Sequence, residues 1–563
     1  MKRIVSLLLC VLMIVGLFAG CNNDKPTPTN PPATQGGDKP TAGKDPEPTQ
    51  PAEPVKLTIW IKGGTKVADY NDNAMTTWLE EQGNLDLEIT SIPSADFSTK
   101  INLALTVGAV EELPDIIIGT EKNTATIMEW ADAGSIIPLT EYYGDPELAK
   151  NINEAIERTG TNYIAQAYLA DGELYSIPTL NQSYGNEYPA KTWINKVWLD
   201  KLGLPIPTTT EEFYNVLKAV AETDLNGNGK KDEIPFVGAT ASYDDYMRYL
   251  MNSYFYAGDK DDVYKVVENG VVSCGATTEE FKESLKYIRK LFQEGLILSE
   301  SLTMSKDQFN TLANTEENTV FAFTFTSPSF FTDSARKDEY ICIAPLVGPE
   351  GVQFATFHES TVSHQFFVTA NCKNPEAAFK LGDLMSSEVM SISQRFGQQG
   401  VDWDYLADAK NADEWMSAFP KFPLYIICYN DTTFWAAKEP THNSWMQNGP
   451  YVRQYEIANG MGVKKDSVDA FTLSVNDGIT MYQEGGFAPA EHIPVLVYNE
   501  DESAVVSETL DTLKSYIDEY IGAVMMGNKN LEADWDTFQA ELEKMGLKDY
   551  LAAVQSAYDR MYK

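Results

Sequence analysis

Basic side chains are scarce in this chain: 82 acidic residues stand against 43 lysines and arginines, for a formal net charge of −39. No basic stripe interrupts the acid, so a nucleic-acid partner is excluded and an anionic membrane surface would repel the folded part. Cysteine is sparse as well, six in 563 residues. Beyond Cys10 and Cys21 there are Cys274, Cys342, Cys372 and Cys428, scattered without the spacing of a metal site. G-x-S-x-G, H-E-x-x-H and zinc-ribbon spacings are missing, which removes the usual sequence signals of acyl transfer and metallohydrolysis. Internal repeats are missing too, which argues against an adhesive array. The stretch Gly227 to Lys230 superficially suggests a phosphate loop, but Asp224 opens it and Lys231 stands where Ser or Thr is required.

The N-terminus has what the rest lacks, a continuous apolar run. Lys2 and Arg3 precede Ile4 to Phe18, and small residues follow as Ala19-Gly20-Cys21. This order reads as a secretory signal over residues 1–20. The run is shorter than the roughly 20 residues that a spanning helix needs. Ordinary cleavage after Ala19 or Gly20 would put Leu17 or Phe18 three places before the cut, where a small residue is wanted. Phe18-Ala19-Gly20-Cys21 instead resembles the lipobox of bacterial lipoproteins, with Phe18 in place of its usual leucine. Lipidation of Cys21 is the resulting expectation, the alternative being a secreted chain with a free cysteine. A multi-chain lipid would hold firmly, since each buried methylene adds about 0.8 kcal/mol. The expected location is the outer face of a Gram-positive-like cell membrane. Residues 21–55 are Pro, Thr, Asp and Gln with almost nothing apolar, and so read as a disordered, extended tether. In an exported chain of this size the four remaining cysteines are expected as buried thiols.

About 500 residues remain, more than one core usually organises, so two lobes are expected. Val55 to Ile61 alternates like a strand, Asn73 to Glu81 carries Met75, Trp78 and Leu79 at helical spacing, and Leu85 to Ile89 alternates again. A helix is expected over Ala95 to Val107, and the apolar run Leu113 to Gly119 suits a strand covered on both faces. This alternation is the signature of an open α/β sheet, whose ligands collect beyond the carboxyl ends of the strands. Pro205 and Pro207 rigidify a loop before a helix near Glu211 that Thr208, Thr209 or Thr210 can cap. Asn374 can cap a helix opened by Pro375.

Four stretches carry a family likeness. They are Leu113 to Gly119, Asp171-Gly172-Glu173-Leu174-Tyr175-Ser176-Ile177-Pro178, Trp193 to Pro205 with Pro207 to Phe213, and Asn374-Pro375-Glu376-Ala377-Ala378. In order, they resemble the extracellular solute-binding proteins of sugar-type ABC importers. Arg395 to Trp403 is similar to a segment of that family's large Gram-positive lipoprotein branch, which is related to alginate-binding proteins. The resemblance implies a two-lobed, periplasmic-binding-protein-like α/β fold of type II with a hinge and an interlobe cleft. It places residues 56–181 and 357–400 in an N-terminal lobe, and 182–356 and 401–563 in a C-terminal lobe that includes the last helices. Hinges are then expected near Ile177 to Tyr188, His358 to Val368 and Gly400. A monomer is expected to capture an oligosaccharide or another small solute by lobe closure and to deliver it to the transmembrane subunits of an ABC permease. Sensing of or adhesion to glycans without transport is one alternative. Cleavage of polysaccharide by paired carboxylates is another.

Asp224-Leu225-Asn226-Gly227-Asn228-Gly229-Lys230-Lys231-Asp232-Glu233 has the sharpest local chemistry. Oxygen side chains at places 1, 3, 5 and 9 with glycine at place 6 match the start of an EF-hand calcium loop. Pro235 occupies place 12, where a bidentate glutamate belongs, so Glu233 must supply the last carboxylate. The family resemblance implies structural calcium held by Asp224, Asn226, Asn228, the Lys230 carbonyl, Asp232 and Glu233. A polar turn before the strand Ile234 to Val237 is the plainer alternative. For the solute, flat aromatic faces suit sugar rings. Trp60, Tyr184, Tyr188, Trp403, Trp435 and Trp445 are candidates by position, with Glu121, His358 and Gln399 as polar ones. Trp78 and Trp535 are assigned to packing. Lys62, Arg395 and Arg453 leave room for uronates.

Overall fold

The computed structural model describes residues 53–107, 110–121, 123–239, 245–258, 263–419, 421–429, 439–466, 468 and 470–562. The signal, Cys21, the tether and Trp435 lie outside them. No described helix is long and apolar enough to cross a membrane.

The expected alternation is realised at the start of the body. Strands β1 (Val55–Gly63), β2 (Leu85–Pro93) and β3 (Ile116–Glu121) run parallel, and β4 (Ile177–Asn181) joins their sheet. The helix between β1 and β2, Ala74–Gly83, starts where Asn73 accepts a hydrogen bond from the Met75 amide, satisfying one orphan N–H. Asp115, in the turn into β3, accepts from the Thr58 amide and hydroxyl at 2.8 and 2.7 Å and so fixes β3 beside β1. The chain then crosses to a second sheet with β5 (Lys191–Asn195) and β6 (Ile234–Val237). A hairpin of β7 (Lys265–Glu268) and β8 (Val271–Cys274) precedes β9 (Val320–Phe325) and β10 (Tyr340–Ile343) of the same sheet. Their order is β10-β5-β9-β6.

Return to the first sheet is made by β11 (Val362–Val368), which lies antiparallel between β3 and β4. A third, small sheet collects β12 (Trp403–Tyr405), β13 (Trp415–Ser417) and β14 (Ile426–Cys428). Then β15 (Val452–Arg453) pairs with β4, and β16 (Met461–Lys464) closes the third sheet. The first sheet therefore reads β15-β4-β11-β3-β1-β2. This departs from the division expected at Gly400. Trp445, Met446 and Val452 join the core of the first sheet, and Trp403, Ile426 and Cys428 pack on Ile392 and Phe396 of the helix Glu388–Phe396. Apolar surface on that helix needs cover, and the 403–464 segment supplies it. The last helices, Glu500–Met525, Leu531–Lys544 and Leu547–Tyr562, do pack with the second sheet's core, through Leu513, Val524, Trp535, Phe538 and Val554.

Local signals hold elsewhere, with one exception. Thr209 caps the helix Thr210–Ala221 in a reciprocal capping box with Glu212. Pro375 does open the helix Pro375–Met385, but the Asn374 side chain makes no capping hydrogen bond. Cys274, Cys342, Cys372 and Cys428 are free thiols, the first and last buried. Trp535 is core and Trp78 packs partly buried against the first lobe, as assigned.

Candidate functional site

Five strands of the first sheet point the same way, because β3 and β4 both run against β11 and β15 runs with β4. Their carboxyl ends, Gly63, Pro93, Glu121, Asn181 and Arg453, thus share one edge. It is the edge where open α/β sheets bind ligands. Two chain crossings to the second sheet leave from beside it, 182–190 after β4 and 344–361 before β11.

Glu187 knots these crossings together. It is buried, its carboxylate accepts hydrogen bonds from Tyr455 Oη and from Ser360 Oγ at 2.9 Å, and its carbonyl accepts from the His358 amide at 2.8 Å. Burial pushes its acidity toward the neutral form, and the two hydroxyls that bond the carboxylate oppose that shift. Beside it Tyr184 stacks on Tyr455, with ring centroids 4.4 Å apart and planes at 17°, and Phe422 lies 5.6 Å from Tyr184. Tyr188 is buried against Phe357 at 5.4 Å and Tyr482 at 6.0 Å. Behind Tyr188 the wholly buried Lys191 donates to the Tyr188 carbonyl, and burial lowers its pKa to about 8.

The expected site residues separate into groups. Tyr184 stands half-buried in this aromatic wall, and Glu121 ends β3 with Oε1 accepting from the Asn123 amide at 2.8 Å. His358 lines a cavity of about 340 Å³ with Tyr256, Phe357, Glu359 and His492, where His492 Nε2 is 3.5 Å from Glu359 Oε2. Exposed Gln399 lines a different pocket, beside Trp78 and Asn443 between two helices of the first lobe. Trp403 and Trp445 are not binding surfaces. Both are fully buried; Trp403 Nε1 donates to the Gly397 carbonyl at 2.9 Å and Trp445 Nε1 to Thr76 Oγ1 at 2.9 Å. A buried indole whose N–H is satisfied is core. Trp60 lies three residues short of the strand end, packed against the core under the helix Ser94–Val107 with Lys100 Nζ 4.6 Å above its ring. Tyr188 is likewise a packing residue of the crossing. Sequence reasoning missed Tyr455, Phe422 and Glu187; the crossing after β4 could have drawn attention to Glu187, but nothing local marks Tyr455.

The loop from Asp224 to Glu233 is built by its own side chains. Asp224 accepts from the Gly227 and Gly229 amides at 2.8 and 2.9 Å, Asn226 Oδ1 from the Asn228 amide, and Asn228 Oδ1 from the Lys230 amide. Gly227 and Gly229 sit at φ +80° and +82°, where a side chain would strain the turn. Asn226 and Asn228 both donate to Asp232. Glu233 is buried, its Oε1 accepts from the Leu225 and Asn226 amides at 2.6 and 3.0 Å, and its Oε2 has no hydrogen-bond partner. Among the described residues no three His, Cys, Asp or Glu side chains form a group that could hold a metal by themselves. The loop's other oxygen-bearing side chains at the expected places are the amides of Asn226 and Asn228.

Residues 64–390, more than half of the chain, match the family model for bacterial extracellular solute-binding proteins. A curated relative, the fructooligosaccharide ABC transporter substrate-binding protein FusA of Streptococcus pneumoniae, is 26% identical over 87% of this chain and 88% of its own length. Its structure with kestose superposes with a TM-score of 0.68 at 23% identity, over 90% of this chain and 99% of that one. It has also been solved as an EF-hand mutant with fructo-nystose, at a TM-score of 0.67 and the same identity and coverage. Lipoprotein LipO of Bacillus subtilis is 27% identical over 58% of this chain and 63% of its own. A solute-binding protein from Bifidobacterium longum infantis, associated with an ABC transporter and binding human milk oligosaccharides (HMO), gives a TM-score of 0.73 at 20% identity, over 90% of this chain and 99% of that one. These solved neighbours share the two-lobed fold.

Proposed function

Because the chain belongs to the bacterial extracellular solute-binding protein family, a family of binding proteins rather than enzymes, we propose that it captures an oligosaccharide between its lobes for an ABC permease. The observation that carries the sugar reading is the Tyr184–Tyr455 stack beside five aligned strand ends. It offers a flat apolar face next to polar groups that can orient hydroxyls. Closure would bend the crossings that Glu187 ties together. A solute favours the closed form only through contacts that both lobes make, and the permease would recognise that form.

The same reading includes a lipid on Cys21, which keeps the binding protein close to its permease; the relative LipO is itself called a lipoprotein. It also includes structural calcium on the second lobe. Asp224, Asn226, Asn228, the Lys230 carbonyl, Asp232 and Glu233 would hold it, and the partnerless Glu233 Oε2 is the oxygen that a cation would satisfy. Calcium would supply positive charge among three carboxylates and brace the loop, away from the solute.

Isothermal calorimetry of the full chain against fructo-, galacto- and human-milk-type oligosaccharides tests the capture reading, with small-angle scattering recording closure. Saturable binding with compaction is expected. Cleaved products would move the reading to an enzyme, and binding without compaction would move it to adhesion.

A further inference from the structure

Strand pairing brings a second segment to the Asp224–Glu233 loop. β6 leaves the loop directly and runs parallel to β9, with Ile234 opposite Val320. The Ile234 amide donates to the Thr319 carbonyl at 2.7 Å, so the turn that precedes β9 lies along the end of the loop. That turn follows the helix Lys306–Ala313 and carries Glu317 and Asn318. Both bond the loop: Glu317 Oε2 accepts from Asn228 Nδ2 at 2.8 Å, and the Asn318 carbonyl accepts from Asn226 Nδ2 at 3.2 Å. Arg336 fixes the backbone of the turn by donating to the Ala313, Thr315 and Glu316 carbonyls, and so is not spent on the Glu317 carboxylate.

The Glu317 contact gathers like charges. Asn228 Nδ2 also donates to both carboxylate oxygens of Asp232, at 3.1 and 3.3 Å, so Asp232 and Glu317 face one NH2 group from two segments. Asp224 and Glu233 belong to the same loop. Among the described residues none of these four carboxylates makes an ion pair, and the ammonium that reaches the loop, Lys201 Nζ, donates to the Leu225 carbonyl at 2.7 Å. Carboxylates gathered in this way repel one another unless a cation lies among them.

Counting oxygens shows where Glu317 belongs. The last place of an EF-hand loop gives calcium two carboxylate oxygens, and the Pro235 side chain can give neither. Glu233 makes good only half of that loss. Its Oε1 is taken by the Leu225 and Asn226 amides, and Oε2 alone is left without a partner. The loop is therefore one oxygen short of the pattern it follows, and Glu317 is a carboxylate from outside that already touches it.

We propose that Glu317 completes the calcium site, supplying from the turn before β9 the oxygen that the loop lost at Pro235. The cation then ties β6 to β9 as well as bracing the loop. This rests on the calcium reading above.

The test is titration of the full chain, first stripped of metal, with calcium alone and with terbium. The wild type is expected to bind both. Glu317→Gln keeps an acceptor for Asn228 and removes the charge, so it should bind calcium about 10- to 100-fold more weakly and melt like the wild type in chelator. Glu317→Ala should let an additional water onto bound terbium, read from luminescence lifetimes in H2O and D2O. Glu316→Gln removes the neighbouring exposed charge and should bind calcium as the wild type does. Wild-type affinity in Glu317→Gln, or an unchanged water count in Glu317→Ala, overturns the role of Glu317 and leaves the loop's own ligand set standing. Equal weakening by Glu316→Gln overturns it too, because general charge would then explain the loss, as does a Glu317→Gln protein destabilised as much in chelator as in calcium. A wild type that binds neither ion overturns the calcium reading and this one together.

Discussion

Withdrawal of the proposed calcium is the perturbation that tests the Asp224–Glu233 loop most directly. Three carboxylates, Asp224, Asp232 and Glu233, sit within ten residues, and Glu317 Oε2 approaches from outside to accept from Asn228 Nδ2 at 2.8 Å. Glu233 alone already anchors two amides and leaves one buried oxygen unsatisfied. A cation that binds the folded form only, at about a hundred times its Kd, adds roughly 2.7 kcal/mol of stability. For a folding unit of a couple of hundred residues, each kcal/mol moves Tm by about 2–4 °C, so a rise of about 5–10 °C is expected. Differential scanning fluorimetry with calcium and then with a chelator measures it. Glu233→Gln keeps an acceptor for the two amides but removes charge, so it should melt near the chelated wild type and respond little to calcium. An identical Tm with calcium and chelator in the wild type would refute the calcium assignment and leave a polar turn. A full calcium response in Glu233→Gln would refute the role given to that side chain.

Two further outcomes follow from burial. His364 is buried, its Nδ1 lies 2.7 Å from Ser176 Oγ, and burial lowers its pKa to about 4. A histidine lowered in the folded state takes up its proton more readily when unfolded. Its contribution is therefore fully present above about 6.5 and is lost as pH falls toward 4, about 3 kcal/mol in all. Melting followed across that window should flatten in His364→Asn, and parallel curves for variant and wild type would count against this. The tryptophan and tyrosine assignments separate cleanly: Trp403→Ala should cost about 3–5 kcal/mol of stability and leave solute affinity intact in whatever remains folded. Tyr184→Ala should lower sugar affinity about ten-fold with little change in Tm. The reverse pattern in calorimetry and melting would return Trp403 to the site.

Periodicity and caps are local, so the sequence by itself determined the elements they govern. β1, the helix behind Asn73, the capping box of Thr209 with Glu212, and the Asx-rich loop with its two left-handed glycines all depend on neighbours within a few residues. The family resemblance likewise rested on short motifs in order, and it led to the right fold. What the tertiary structure alone decided was partnership across long separations. Trp403 and Trp445 are as aromatic as Tyr184, and only packing shows that both indoles bond into the core while Tyr184 meets a ring 271 positions later, that of Tyr455. The segment 403–464 joined the first lobe because the Glu388–Phe396 helix had apolar surface to cover and β4 had a free edge. Glu187 is one acid among many in sequence, yet it bonds residues of two other segments. Burial and charge environment are sums over residues distant in the chain, which no local pattern encodes.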